Sequence, residues 1–243
     1  MEQKISKIIE NHKEKNYILS GAVIGSFAKN RFIKDESDID LLFIVNNEFD
    51  EKIVEKELLY KFLAKKKYDV YTIESETAEI NISYHKADDF EKLVDRILEC
   101  EEIFSINKPW TVGGVCDDVL MEDVQKAIIY FDKDKILEKL KGKIDNYNLK
   151  EWYKKMNDRL RRDIIEKQKT ILKFYEKGQY KLAFVGLIEL EQLKHRLYYA
   201  ENNSFYPGFK HILCKDDNYF KTLNFLDNVE CEQIVSKYLV HQI

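Results

Sequence analysis

The chain has 243 residues, of which 44% are apolar and 35% are charged, a composition typical of folded globular domains. This length allows either one large domain or two smaller ones, each with its own hydrophobic core. The formal net charge of −4 argues against a general nucleic-acid binder, because the binding surface of such proteins is usually basic.

The cysteine spacing and the apolar runs indicate where the protein resides. The first residues contain no apolar run of signal-peptide length, and no segment elsewhere approaches the length of a membrane span. Cys100, Cys116, Cys214 and Cys231 are scattered without C-x-x-C spacing, which favours reduced thiols over a disulfide framework. We therefore expect a cytoplasmic protein with no membrane partner.

Up to about residue 145, helical and extended patterns alternate along the chain. In chain order, the spacing predicts a helix near 5–12, strands at 17–24 and 41–45, a helix at 51–67, strands at 68–73 and 79–84, a helix at 88–98, and a strand at 127–131 before a helix that begins near Asp134.

From residue 149 onward the pattern is helical almost throughout. Helices are predicted at 152–175, 180–200 and 230–240, and Gly178 is expected to end the first of them. The fold class predicted from this order is α+β, with a small mixed sheet and its helices at residues 1–146 and an all-helical bundle at residues 147–243.

Two aspartates flank Ile39 at the start of an apolar strand, within the run GSFAKNRFIKDESDIDLLFIV. Side chains alternate along a strand, so Asp38 and Asp40 are expected on the same face, where they repel each other unless a cation lies between them. Gly25 and Ser26 follow the preceding strand, which ends at Ile24, and a glycine turn with free amides and a hydroxyl suits a phosphate. Carboxylates beside a phosphate favour Mg²⁺, so the residues predict a magnesium–nucleotide site.

The order Gly-Ser, a spacer of about ten residues and Asp-x-Asp between apolar residues resembles the signature of the DNA polymerase β-like nucleotidyltransferase superfamily. The resemblance implies that residues 1–146 are the catalytic domain and that two Mg²⁺ ions bind Asp38 and Asp40. It also implies a nucleotide site, to which we assign Gly25, Ser26, Lys29 and Ser37.

The superfamily needs a third carboxylate on a neighbouring strand, and two residues are candidates. Glu79, in AEINISYHKADDF, is favoured because this stretch resembles the corresponding one in streptomycin/spectinomycin adenylyltransferases and lincosamide nucleotidyltransferases. The role of the corresponding glutamate in those enzymes implies that Glu79 either completes the ligand set of the second metal ion or takes the proton of the acceptor hydroxyl as general base. Asp69 is the alternative, although the first residue of a strand is also a common turn acid.

The resemblance implies transfer of a nucleoside monophosphate, with AMP from ATP favoured over other NTPs, onto a hydroxyl of a small molecule. Residues 99–123 hold seven acidic residues against Lys108 alone, and this charge would attract a polycationic aminoglycoside. Glu101, Glu102 and Trp110 are the candidate substrate contacts, and an aminoglycoside- or lincosamide-type antibiotic is the favoured acceptor. A solvated acidic segment is the alternative interpretation.

Residues 196–213 resemble a segment in the helical carboxy-terminal domains of some bacterial nucleotidyltransferases. That resemblance assigns Tyr206 to the base and Lys210 to the triphosphate, whereas a helix–helix turn packed by aromatic residues explains the same pattern without a ligand.

Two other functions stay open. One is transfer onto a protein or tRNA, which only the basic residues 159–162 support, and the other is a non-catalytic nucleotide-binding protein, which the presence of all three acids disfavours.

Overall fold

The computed structural model describes residues 2–32, 37–52, 55, 58, 65–67, 70–74, 78–100, 117–206 and 228–240. The chain forms two compact units. Among the described residues, the first unit holds those up to 100 together with Leu120–Tyr147, and the second holds 117–119 and those from 148 on. The predicted fold class, an α+β region followed by helices, is confirmed. The domain boundary between residues 146 and 147 stays a prediction.

The first unit is built on a six-stranded mixed sheet in the order β3-β4-β5-β2-β1-β6. The strands are β1 (Ile18–Ile24), β2 (Ile39–Val45), β3 (Lys65–Lys67), β4 (Val70–Glu74), β5 (Glu79–Lys86) and β6 (Ile128–Asp132). The β2–β5 pair is parallel, whereas the other neighbouring pairs are antiparallel. The strand that carries Asp40 therefore lies inside the sheet, between β1 and β5.

Among the described residues, helices with defined bounds flank or connect the strands. They are α1 (Glu2–Lys13), α2 (Gly25–Ala28), α3 (Ala87–Leu98), α4 (Asp117–Lys126) and α5 (Ile136–Asp145). The predicted helix at 51–67 is wrong at its end, because Lys65–Lys67 form β3 and pair with β4.

One face of β2 packs into the hydrophobic core. Ile39, Leu41 and Phe43 are completely buried on that face. The buried His12 of α1 stacks on the Phe43 ring at 4.2 Å between centroids, and its Nε2 lies 2.6 Å from the Tyr84 hydroxyl. A shift of one residue would exchange the two faces and bury Asp40 in place of Ile39, so the burial of Ile39 favours the register that leaves Asp40 on the opposite face.

The second unit is helical and consists, among the described residues after 147, of α6 (Leu149–Glu176), α7 (Tyr180–Glu201) and α8 (Asn228–Val240). Gly178 ends α6 as predicted. Its φ is +68°, its N–H donates to the Tyr175 carbonyl, and the next N–H donates to the Phe174 carbonyl, the two bonds of a Schellman motif. Leu187 of α7 and Val235 of α8 share one buried apolar cluster. None of the described helices is both long and apolar enough to cross a bilayer.

Gly21 lies where β1 passes between two aromatic rings, and its lack of a side chain is expected to control stability. A Cβ at this position would lie 2.5 Å from Phe131 Cε1 and 2.9 Å from Phe43 Cε1. We predict that Gly21→Ala lowers the free energy of unfolding by about 1–3 kcal/mol, because the packed core has no room for the methyl group. Urea denaturation measures the change.

The matched control is Gly142→Ala in α5, where the added Cβ meets no atom within 4 Å. This variant is expected to gain about 0.5–1 kcal/mol because alanine has the higher helix propensity. Equal stabilities for the two variants would contradict the packing explanation for Gly21.

Candidate active site

Asp38 and Asp40 lie side by side at the start of β2, as the strand alternation predicted. Asn81 of β5 joins them, since its Nδ2 donates to Asp38 Oδ2 at 2.8 Å and lies 3.5 Å from Asp40 Oδ1. The parallel register places Asn81 directly opposite Asp40. Both aspartates are half-buried, so the strand holds two carboxylates together at the surface of the sheet.

The Asn81 amide is held in one orientation. Its Oδ1 accepts a hydrogen bond from Thr72 Oγ1 of β4 at 2.9 Å, which turns Nδ2 toward the two aspartates. Asn81 is not among the residues predicted from the sequence. Its position two residues after Glu79, and so on the same face of β5, is the signal that would have identified it.

Gly25 makes close contact with Asp40. The antiparallel register pairs Ile24 with Asp40, so the chain turns into α2 directly beside the carboxylate. Gly25 has a φ of +71°, which side-chain-bearing residues rarely adopt, and a Cβ at this position would overlap Asp40 Oδ2. Glycine is therefore required here by both the backbone angle and the space available.

Two consecutive acids of α4, Glu122 and Asp123, hold the other side of this turn. Asp123 Oδ1 accepts from the Gly25 N–H at 2.9 Å and lies 2.8 Å from Lys29 Nζ. Glu122 accepts two hydrogen bonds from the Arg31 guanidinium, at 2.7 and 3.0 Å. These two acids are only 5% and 6% exposed. The interpretation of the acidic segment as a substrate-facing surface is therefore wrong for them, because both acids are buried against Lys29 and Arg31.

The remaining predicted residues of the first unit occupy different environments. Glu79 is the exposed first residue of β5. Because Ile80 pairs with Ile39 in the parallel register, Glu79 lies level with Asp38. Ser26 is half-buried in α2, and Ser37 is buried just before β2. The Lys29 side chain is 5% exposed and ends at the two acids of α4. The roles of these residues as ligands stay predictions.

Tyr206 belongs to the second unit, where it is 1% exposed and makes an edge contact with the Tyr199 ring at 6.0 Å. Its contact with a base stays a prediction. The predictions at Asp69, Glu101, Glu102, Trp110 and Lys210 lie outside the described residues.

Comparison with known proteins identifies the family. The sequence model of the nucleotidyltransferase domain matches residues 5–196, most of the chain. The chain belongs to the nucleotidyltransferase domain family. No curated protein matches this nucleotidyltransferase. Among solved structures it is similar to a nucleotidyltransferase-like protein from Exiguobacterium sibiricum 255-15, with 14% sequence identity and a TM-score of 0.45 over 99% of this chain and 72% of the other.

The aspartate pair of this nucleotidyltransferase fits a magnesium ion. Its oxygen donors are the hard ligands that Mg²⁺ prefers, and Mg²⁺ commonly binds one or two carboxylates together with water and substrate phosphates. Within the described residues no three Asp, Glu, His or Cys side chains form a metal-binding cluster. Asp38 and Asp40 would supply two carboxylate ligands, with further oxygens from the substrate or water.

The close approach of Gly25 to Asp40 generates a test. We predict that Gly25→Ala displaces the Asp40 carboxylate and weakens binding of Mn²⁺, a paramagnetic substitute for Mg²⁺, by about tenfold or more. Electron paramagnetic resonance of free Mn²⁺ measures the affinity.

Gly178→Ala is the matched control, because Gly178 has nearly the same φ but an added Cβ there meets nothing within 4 Å. Both variants are expected to lose about 1–2 kcal/mol of stability from the left-handed backbone. If both also bind Mn²⁺ equally well, the contact with Asp40 has no functional importance.

Asp123 should make stability depend on pH. Burial raises the pKa of the Asp123 carboxyl above its ordinary value of 3.8, and neighbouring Glu122 raises it further, while Lys29 and the Gly25 N–H offset part of the increase. Between the ordinary and the raised pKa, the folded state keeps a proton that the unfolded chain releases. The contribution of Asp123 to the free energy of unfolding therefore falls as pH rises through the raised pKa.

Urea denaturation of the wild type and Asp123→Asn between about pH 4 and pH 7 measures this effect. The stability of the wild type relative to the variant is expected to fall as pH rises, since asparagine does not titrate. A difference that is constant or rises across this range would contradict the direction of the shift.

Proposed function

We propose that the protein is a magnesium-dependent nucleotidyltransferase that moves a nucleoside monophosphate, most readily AMP from ATP, onto a hydroxyl of a small molecule. The observation that carries this proposal is the aspartate pair, in which one Asn81 amide contacts both Asp38 and Asp40 while Gly25 approaches Asp40 closely. Family membership supports nucleotidyl transfer in general, and the paired carboxylates support a divalent metal.

The side chains divide the chemical work. Bound Mg²⁺ would neutralise the phosphates and lower the pKa of the acceptor hydroxyl. Asp38 and Asp40 would hold the metal, and the Asn81 amide holds their carboxylates close together because it contacts both. Glu79, level with Asp38 on the neighbouring strand, takes the proton that the acceptor hydroxyl loses when its oxygen attacks the α-phosphorus and pyrophosphate leaves.

The Gly-Ser turn contributes to phosphate binding in a specific way. The Gly25 N–H already donates to Asp123, so the absence of a side chain at Gly25, rather than its amide, is what brings the turn close to the metal site. We assign the direct phosphate contact to Ser26, which is half-buried in the same turn. Hydrogen bonds from preorganised donors of this kind stabilise the charge that develops on the leaving pyrophosphate.

The favoured acceptor is an aminoglycoside- or lincosamide-type antibiotic. This part of the proposal depends on the likeness of residues 78–90 to antibiotic nucleotidyltransferases and on the acidic residues of segment 99–123 other than Glu122 and Asp123. An acidic surface would raise the local concentration of a polycationic acceptor and speed its association.

Pyrophosphate release tests the reaction directly. The purified protein is given Mg²⁺, each of the four NTPs and a panel of aminoglycosides and lincosamides. We predict release with one donor and acceptor, and a loss of more than about 100-fold in Asp40→Asn, because a direct metal ligand matters more than the outer-shell partners whose loss costs about 10–100-fold.

Asp134→Asn is the matched control, since it removes the same charge from an exposed site of the first unit. It should keep wild-type activity. Glu79→Gln should lower kcat and leave KM nearly unchanged if Glu79 is the general base. Activity that survives in Asp40→Asn would refute the metal site, whereas nucleotide binding without release across the panel would refute the antibiotic acceptors.

A further inference from the structure

Asp123 connects α4 to the candidate metal site through one backbone amide. Its Oδ1 accepts from the Gly25 N–H at 2.9 Å and from Lys29 Nζ at 2.8 Å, so a single oxygen holds the first residue of α2 and the lysine that follows the helix. Asp123 is 6% exposed and the Lys29 side chain 5%, so little water reaches the carboxylate to replace these donors. Breaking the hydrogen bonds of such a carboxylate is costly because the buried acceptor is left unsatisfied.

The contact continues from Gly25 to Asp40. The two residues are so close that a Cβ on Gly25 would overlap Asp40 Oδ2. Any shift of the turn toward β2 therefore displaces the carboxylate, and any shift away opens a gap beside it. The position of the Gly25 backbone thus determines where the Asp40 carboxylate can lie.

We propose that Asp123 is a positioning residue for the metal ligand Asp40, acting through its hydrogen bond to the Gly25 amide. The proposal rests on the proposed function, because it assumes that Asp40 binds a divalent cation. Asp123 touches neither metal nor substrate in this role. It fixes the backbone that fixes the ligand, as outer-shell residues of metal sites do.

Glu122 provides an internal comparison because it is equally buried and adjacent in sequence. It binds Arg31 through two hydrogen bonds and lies 3.3 Å from Lys29 Nζ. The two acids therefore contribute alike to charge neutralisation, whereas the Gly25 N–H donates its hydrogen bond to Asp123. A purely structural role predicts similar effects for both residues, and a positioning role predicts different ones.

The experiment measures Mn²⁺ affinity by electron paramagnetic resonance in the folded full-length chain. We expect Asp123→Ala to weaken Mn²⁺ binding by about tenfold or more, within the range for lost outer-shell partners. Asp123→Asn should keep nearly the wild-type affinity, because its Oδ1 can accept from both Gly25 and Lys29. Glu122→Ala should lose stability but keep its affinity for Mn²⁺.

A second variant tests the same hydrogen bond in case Asp123→Ala does not fold. Asp123→Ala could unfold the protein because it leaves the buried Lys29 with one acidic partner fewer. Replacing a buried ion pair by apolar residues of similar volume is often neutral for stability, so Lys29→Met combined with Asp123→Leu removes the acceptor of the Gly25 N–H without an unpaired charge. It should show the same loss of Mn²⁺ affinity.

The outcomes separate this inference from the proposed function. Wild-type affinity in Asp123→Ala or in the double variant overturns the positioning role while leaving the metal site intact. Equal losses in Asp123→Ala and Asp123→Asn also overturn it, because the hydrogen bond would not be the cause. A wild-type protein that binds no Mn²⁺ overturns the metal site, and the positioning role falls with it.

Discussion

The arrangement of the candidate site depends on the contact between the Gly25 backbone and the Asp40 carboxylate. The register of β1 against β2 places the turn beside Asp40, and only a residue without a side chain fits there. The left-handed φ of Gly25 allows the chain to leave β1 sharply and enter α2. The Asp40 carboxylate and the turn at Gly25 are thereby held together by direct packing of the backbone, and such packing gives a site the precise positioning that catalysis requires.

Two sets of contacts hold this arrangement from opposite sides. From the sheet, the series Thr72, Asn81 and the aspartate pair crosses three neighbouring strands, and each hydrogen bond orients the next group. From α4, Asp123 binds the Gly25 amide. Repulsion between the two aspartates is thus offset by an amide donor, and the burial of an acid is offset by a lysine and a backbone N–H. Each unfavourable charge placement has a specific partner.

The fold and the site were not equally predictable. Most helices and strands were identified because apolar periodicity is a local signal, and the positions of Asp38 and Asp40 on one face followed from strand alternation alone. The strand at Lys65–Lys67 was missed because three lysines carry no apolar pattern, and pairing with β4 decides its conformation. The acids Glu122 and Asp123 were assigned to the surface because composition does not reveal burial. Their partners, Arg31 and Lys29, lie more than 90 residues earlier in the chain.

The sequence by itself determined the class of chemistry. In the order Gly-Ser, spacer, Asp-x-Asp and apolar strand, local backbone geometry and side-chain alternation are enough to bring a turn and two carboxylates close together. Only the tertiary structure decided which other side chains contact the aspartate pair and the turn. Asn81 faces the aspartates because β5 pairs in parallel with β2, and Asp123 reaches Gly25 because α4 packs against the turn. Such contacts depend on strand register and helix packing, which the whole hydrophobic core sets rather than any short stretch of residues.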